Sequence, residues 1–184
     1  MYKSSINVTK LLDEARINSF HVKFLIWGAL ISAFEGYDLV VYGVVLPMLM
    51  QEWTLTSIEA GMLASTALVG MAVGSLGCGI IADYVGRKKI MMLSVTLLSV
   101  ATFLCAFASQ PLEFGTLHFL AGVGVGGIMP NIVALTAEFS PKNKRTTMIG
   151  LMSSGFAIGG IISAVIGSMY VQDSGWRIMF AVAG

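Results

Sequence analysis

Glu35 and Asp38 stand three residues apart inside a long stretch, residues 24–50, that carries no other charge. Two carboxylates one helical turn apart suit one kind of chemistry: taking up and releasing a proton, or balancing the charge of a ligand. In hydrocarbon a bare carboxylate costs about 2.5 to 3.5 kcal/mol on insertion scales, so these acids must face protein or water, be protonated, or be paired. Tyr42 lies one turn beyond Asp38 and shares the helix face. At about 1.5 Å per residue the acids fall roughly 16 to 21 Å in from residue 24, close to a bilayer midplane. Low dielectric and mutual repulsion both disfavour two simultaneous charges there, so the pair reads as a site that takes a proton at neutral pH. The competing reading is structural, with basic or polar partners supplied by helices outside this chain.

One further residue qualifies on a later apolar run. Asn131 follows Pro130 and the series Gly122, Gly124, Gly126 and Gly127. Glycine and proline loosen a helix, so residues 122–131 and the Glu35-Gly36-Tyr37-Asp38 run are expected to interrupt their helices and expose backbone to a cavity. The alternative for the glycines is close helix packing.

The elements that position these residues follow from composition. Hydrophobic residues make up 56% of the 184 and charged residues 11%, against about 25% charged in soluble domains. Apolar runs are expected as spanning helices at residues 24–50, 58–82, 90–108, 112–137 and 148–171, with an incomplete sixth at 177–184, so the sequence reads as a fragment. Residues 1–23 are polar, contain Asp13 and Glu14, and do not read as a secretory leader; the first span is expected to act as an uncleaved anchor. Residues 9–20 are expected either as an amphipathic interfacial helix or as a solvated tail. Glycines 155, 159 and 167 with Ser163 form a smooth stripe for helix contact, as Gly70 and Gly74 do more briefly.

Ten of the eleven basic residues precede the first run or lie in the loops at 87–89 and 142–145; only Arg177 lies on the other side. The positive-inside rule therefore puts residues 1–23 and those two loops in the cytoplasm. Trp27, Trp53 and Trp176 near the boundaries suggest an aromatic belt. Nothing in the charge pattern points to nucleic acid. Cys78 and Cys105 sit in apolar runs without CxxC spacing, which suggests packing. No hydrolase triad, HExxH or phosphate-binding loop occurs, so no enzyme, cofactor or metal is expected. The GxGxxG match at 122–127 lacks a preceding strand.

Residues 79–89, Gly-Ile-Ile-Ala-Asp-Tyr-Val-Gly-Arg-Lys-Lys, resemble the G-x-x-x-D-[RK]-x-G-R-[RK] signature of the major facilitator superfamily. Tyr84 departs from it. Glu138, Pro141 and Arg145 are similar to the E-x-x-P-x-x-x-R pattern of the next cytoplasmic loop. Within the superfamily the chain resembles the aromatic acid:proton symporters, through Glu35-Gly36-Tyr37-Asp38 with Tyr42 and Pro47, the helix 4 glycines with Pro130-Asn131, and Gly175-Trp176-Arg177. Glu35 replaces the family's first Asp, and His118 stands where many relatives have Arg.

The resemblance implies an all-α transmembrane fold, the N-terminal six-helix half of a carrier built as a 3+3 inverted repeat and truncated in its sixth helix. It implies proton-coupled import of an aromatic or related small organic carboxylate across the bacterial inner membrane by alternating access, with the proton as coupling ion and Glu35, Asp38, Tyr42, His118 and Asn131 at the proton and substrate site. Gly79, Asp83, Gly86, Arg87, Lys88, Glu138 and Arg145 would form a conformational latch, with Gly79 allowing close helix contact. The bilayer and a C-terminal six-helix half are the expected partners. Rival readings are a carrier for a non-aromatic metabolite and a non-transporting membrane scaffold.

Overall fold

The computed structural model describes residues 18–184; residues 9–17 of the expected interfacial segment lie outside the described residues. The described residues form five long helices and a short one: α1 Ser19–Glu52, α2 Ser57–Val85, α3 Arg87–Cys105, α4 Pro111–Phe139, α5 Arg145–Ser174 and α6 Arg177–Ala183, with a 3-10 turn at Lys142–Lys144. Among the described residues, five helices are long and apolar enough to cross a membrane. Their ends follow local chemistry. The Asn18 side chain accepts from the Phe20 and His21 amides to start α1, and Thr56 pairs with Glu59 in a capping box at the start of α2. Pro111 opens α4, where its missing N–H has no helical partner to lose. Gly86, at φ +102°, makes the turn between α2 and α3 in a region that L side chains avoid.

Helix contacts run in two parallel pairs. α1 lies along α5, with Gly155 against Ala29, Gly159 against Ala33 and Gly36 against the Phe156 backbone. α2 lies along α4, with Gly122 against Ala67, Gly126 against Met71 and Gly74 against Val123. In both pairs the residue numbers of the two helices rise together, so each pair runs parallel. Exchanging α1, α2, α3 with α4, α5, α6 carries the first pair onto the second, which is the 3+3 repeat. α3 packs on α4, where Gly124 meets Ser94 and Leu98.

These contacts correct one expectation. α1 and α4 are continuous helices through Glu35–Asp38 and through residues 122–131. Their glycines serve packing: a Cβ at Gly36, Gly122 or Gly126 would run into a neighbouring carbonyl. Without a hydrophobic drive between helices in lipid, close backbone approach supplies dispersion and weak Cα–H···O contacts that outweigh glycine's poor helix propensity. Gly79 is corrected in the opposite sense, since a Cβ there would meet nothing among the described residues.

Two apolar clusters fill the interior. One, towards the Trp176 end, gathers Tyr37, Val41, Val45, Phe114 and Phe180; the other, towards the Gly86 end, gathers Leu98, Val125, Ile128, Ile132 and Met152. The outer faces carry exposed Leu76, Ile80, Leu93 and Ile161. Water would penalise that surface, whereas lipid accepts it.

Candidate proton and substrate site

α1 brings Asp38 and Tyr42 to a cavity of about 140 Å³, walled by Ala64, Ala67 and Met71 of α2 and by His118, Gly122 and Val125 of α4. Gly122 has two roles here, since it sits against α2 and forms part of this wall. Asp38 is buried, and its Oδ1 accepts a 2.7 Å hydrogen bond from Thr102 Oγ1 on α3. Tyr42 donates its hydroxyl to the Ala60 carbonyl at 2.6 Å, which fixes the ring. That ring stacks on His118 at 5.1 Å between centroids and 25° between planes, and Phe114 flanks the imidazole at 5.3 Å. His118 Nδ1 lies 3.4 Å from the Leu63 carbonyl, a contact that requires the proton on Nδ1. The cavity therefore offers one carboxyl group, one imidazole and one phenol ring on otherwise apolar walls.

Glu35 and Asn131 lie off that wall. Glu35 is fully buried, and neither carboxyl oxygen has a hydrogen-bond partner among the described residues. Ser32 Oγ, one turn away on the same face, is also buried without a partner. Asn131 donates to the Gly127 carbonyl of its own helix at 2.8 Å. It stands thirteen residues beyond His118, or about 20 Å along the helix. Of the five residues expected at the site, the structure brings together Asp38, Tyr42 and His118.

Thr102 escaped the sequence reading. It is one of four hydroxyl residues in the apolar run 90–108, and most such hydroxyls bond back to their own helix, so nothing marked this one.

The Gly86 end carries the second constellation. Arg87 lies 3.8 Å from Asp83 on α2 and 3.4 Å from Glu138 on α4, so one guanidinium at the start of α3 ties three helices. Asp83, Gly86, Lys88 and Glu138 line a shallow groove there, and Arg145 opens α5 after the 3-10 turn. All of these side chains are at least partly exposed, so each pair contributes roughly 0 to 1 kcal/mol. Ion pairs this weak can be broken and remade.

At the opposite end a tighter clamp joins α1 to α6. Arg177 makes a forked pair with Glu52 at 2.7 and 3.1 Å, and Trp176 Nε1 donates to the same carboxylate at 2.6 Å. Trp176 is 2% exposed and packs edge-on against Trp53, Phe114 and Phe180. It is a core residue, which corrects its expected place in an aromatic belt.

The Major Facilitator Superfamily model matches residues 28–184. The benzoate transport protein of Acinetobacter baylyi is 45% identical over 97% of the chain and 40% of its own length. The gentisate transporter of Corynebacterium glutamicum is 45% identical over 82% of the chain and 34% of its own length. Among solved structures, the inward-open xylose transporter XylE from E. coli is similar in fold, with a TM-score of 0.79 at 18% identity over 89% of this chain and 45% of that one. The chain thus spans about 40% of the length of the first of these relatives. It is a multi-pass membrane protein that belongs to the major facilitator superfamily, in the group of the aromatic acid transporters, and corresponds to their N-terminal half.

Proposed function

We propose that the chain is the N-terminal half of a proton-coupled symporter that imports an aromatic carboxylate across the bacterial inner membrane. The observation that carries this reading is the cavity shared by Asp38, Tyr42 and His118. A cavity of roughly 150 Å³ is large enough for a benzene ring, and the rings of Tyr42 and His118 form part of its wall. The names of the relatives at 45% identity, for benzoate and gentisate, support an aromatic acid as cargo.

In this reading Asp38 binds the coupling proton. Its Thr102 donor favours the charged form, and protonation neutralises the site so that the loaded carrier can reorient between its two six-helix halves. His118, with its Nδ1 proton on Leu63, turns its other nitrogen to the substrate. Residues 1–23 and the loops at 87–89 and 142–145 face the cytoplasm, because ten of the eleven basic residues lie there. The Arg87 cluster then latches the cytoplasmic ends of α2, α3 and α4 in one conformation, and the Glu52–Arg177 clamp holds the outer ends of α1 and α6 together throughout the cycle.

The test is uptake of labelled benzoate, gentisate, 4-hydroxybenzoate and xylose by cells expressing the full-length carrier that includes this chain. The reading expects accumulation of one or more of the aromatic acids, abolished by a protonophore. Accumulation of xylose alone, or none of the four, would refute it.

A further inference from the structure

Thr66, Thr96, Thr116 and Thr136 return their hydroxyls to backbone carbonyls of their own helices at 2.7 to 2.9 Å. This is the usual fate of a threonine inside a helix. Thr102 departs from it. Its hydroxyl crosses from α3 to the Asp38 carboxylate on α1, at 2.7 Å, and both groups are buried. From this geometry we infer that Thr102 is a positioning residue: it holds Asp38 in its working orientation and sets the pH range over which the carrier runs. The inference rests on the reading of Asp38 as the proton site.

A hydroxyl that donates to an ionised carboxylate makes a charge-assisted bond, roughly twice as strong as a neutral one. When Asp38 takes a proton that advantage is lost, and the Thr102 hydroxyl has an alternative acceptor in the Leu98 carbonyl, four residues back on α3. The bond therefore favours release of the proton and ties the charge on α1 to the position of α3. Other titratable groups face the same region. Glu35, Tyr37 and Tyr42 share α1 with Asp38, Cys105 lies one turn from Thr102 on α3, and His118 shares the cavity from α4. The α2 wall residues, and Phe156, Gly160 and Met179 where α5 and α6 pack on α1, carry no titratable side chain. Of these surrounding groups, Thr102 alone has a hydrogen bond to Asp38 among the described residues.

The experiment measures proton-driven uptake of labelled benzoate across a pH series, and benzoate exchange without a gradient, in the full-length carrier. Thr102→Val keeps the shape of the side chain and removes the donor. Its uptake profile should move to higher pH by about one unit, the size of one lost hydrogen bond to a charged acceptor. Exchange should persist, and Thr102→Ser, which retains the hydroxyl, should keep the parent profile. A parent-like profile for the valine variant, or equal displacement of both variants, would overturn the inference. Thr102→Ala replaces valine, with the same two outcomes, if the valine variant does not insert. Asp38→Asn is the control that separates the two failures. If it accumulates benzoate like the parent, the Asp38 reading falls; if it is inactive while Thr102→Val keeps the parent profile, the Thr102 inference falls alone.

Discussion

Glu35 and Asp38 are one helical turn apart and both are buried, yet their surroundings differ in kind. Asp38 has a hydroxyl donor from α3 and opens onto a cavity with an imidazole on its far wall. Glu35 has neither a donor among the described residues nor a place on that wall. A buried carboxyl group without a hydrogen-bond partner is tolerated far better neutral than charged. Asp38 therefore has a donor for its charged form that Glu35 lacks among the described residues. The lesson is that depth in the membrane makes an acid expensive, and only its neighbours make it reversible.

Three substitutions probe that difference, in decreasing order of effect. Asp38→Asn preserves size and hydrogen bonding but cannot bind a proton, so uphill uptake should fall at least about 100-fold. Initial rates with an imposed pH gradient check this, and the residual rate should no longer respond to pH. Glu35→Gln mimics the neutral acid, so uptake should drop less than about fivefold, under 1 kcal/mol of barrier. If this variant proves as inactive as Asp38→Asn, then Glu35 also cycles its charge and the contrast between the two acids collapses. Arg87→Ala removes two partly exposed ion pairs, each worth roughly 0 to 1 kcal/mol, so cycling should slow by about threefold with insertion intact. Accessibility of a cysteine placed at Ser99, measured with a thiol reagent, should shift in the same variant; unchanged accessibility and rate together would reduce the cluster to a topology signal.

Much of this architecture was legible in the residues. Long uncharged runs dictate spanning helices, and the stripe of Gly155, Gly159 and Gly167 announced the approach that α1 makes to α5. The glycines of α4 misled because isolated-helix propensity marks them as weak points, whereas neighbouring backbones fill the space that a Cβ would take. Asp38 with Tyr42 was legible from helical spacing. The separation of Glu35 was not, because a spacing of three leaves about 60° between side chains and the position of α4 decides which one reaches the cavity. Trp176 looks like a belt residue in sequence, and only its contact with Glu52 and three aromatic rings places it in the core. Thr102 was illegible for a similar reason: its partner is sixty-four residues away.

Movement of the proton proposed to ride on Asp38 can be recorded directly. The full-length carrier in lightly buffered, de-energised membrane vesicles is given a pulse of benzoate while external pH is followed. The account predicts a transient alkalinisation that accompanies benzoate entry in the parent, persists in Glu35→Gln, and is absent in Asp38→Asn even where benzoate exchange survives. Alkalinisation of parental size in Asp38→Asn would contradict it.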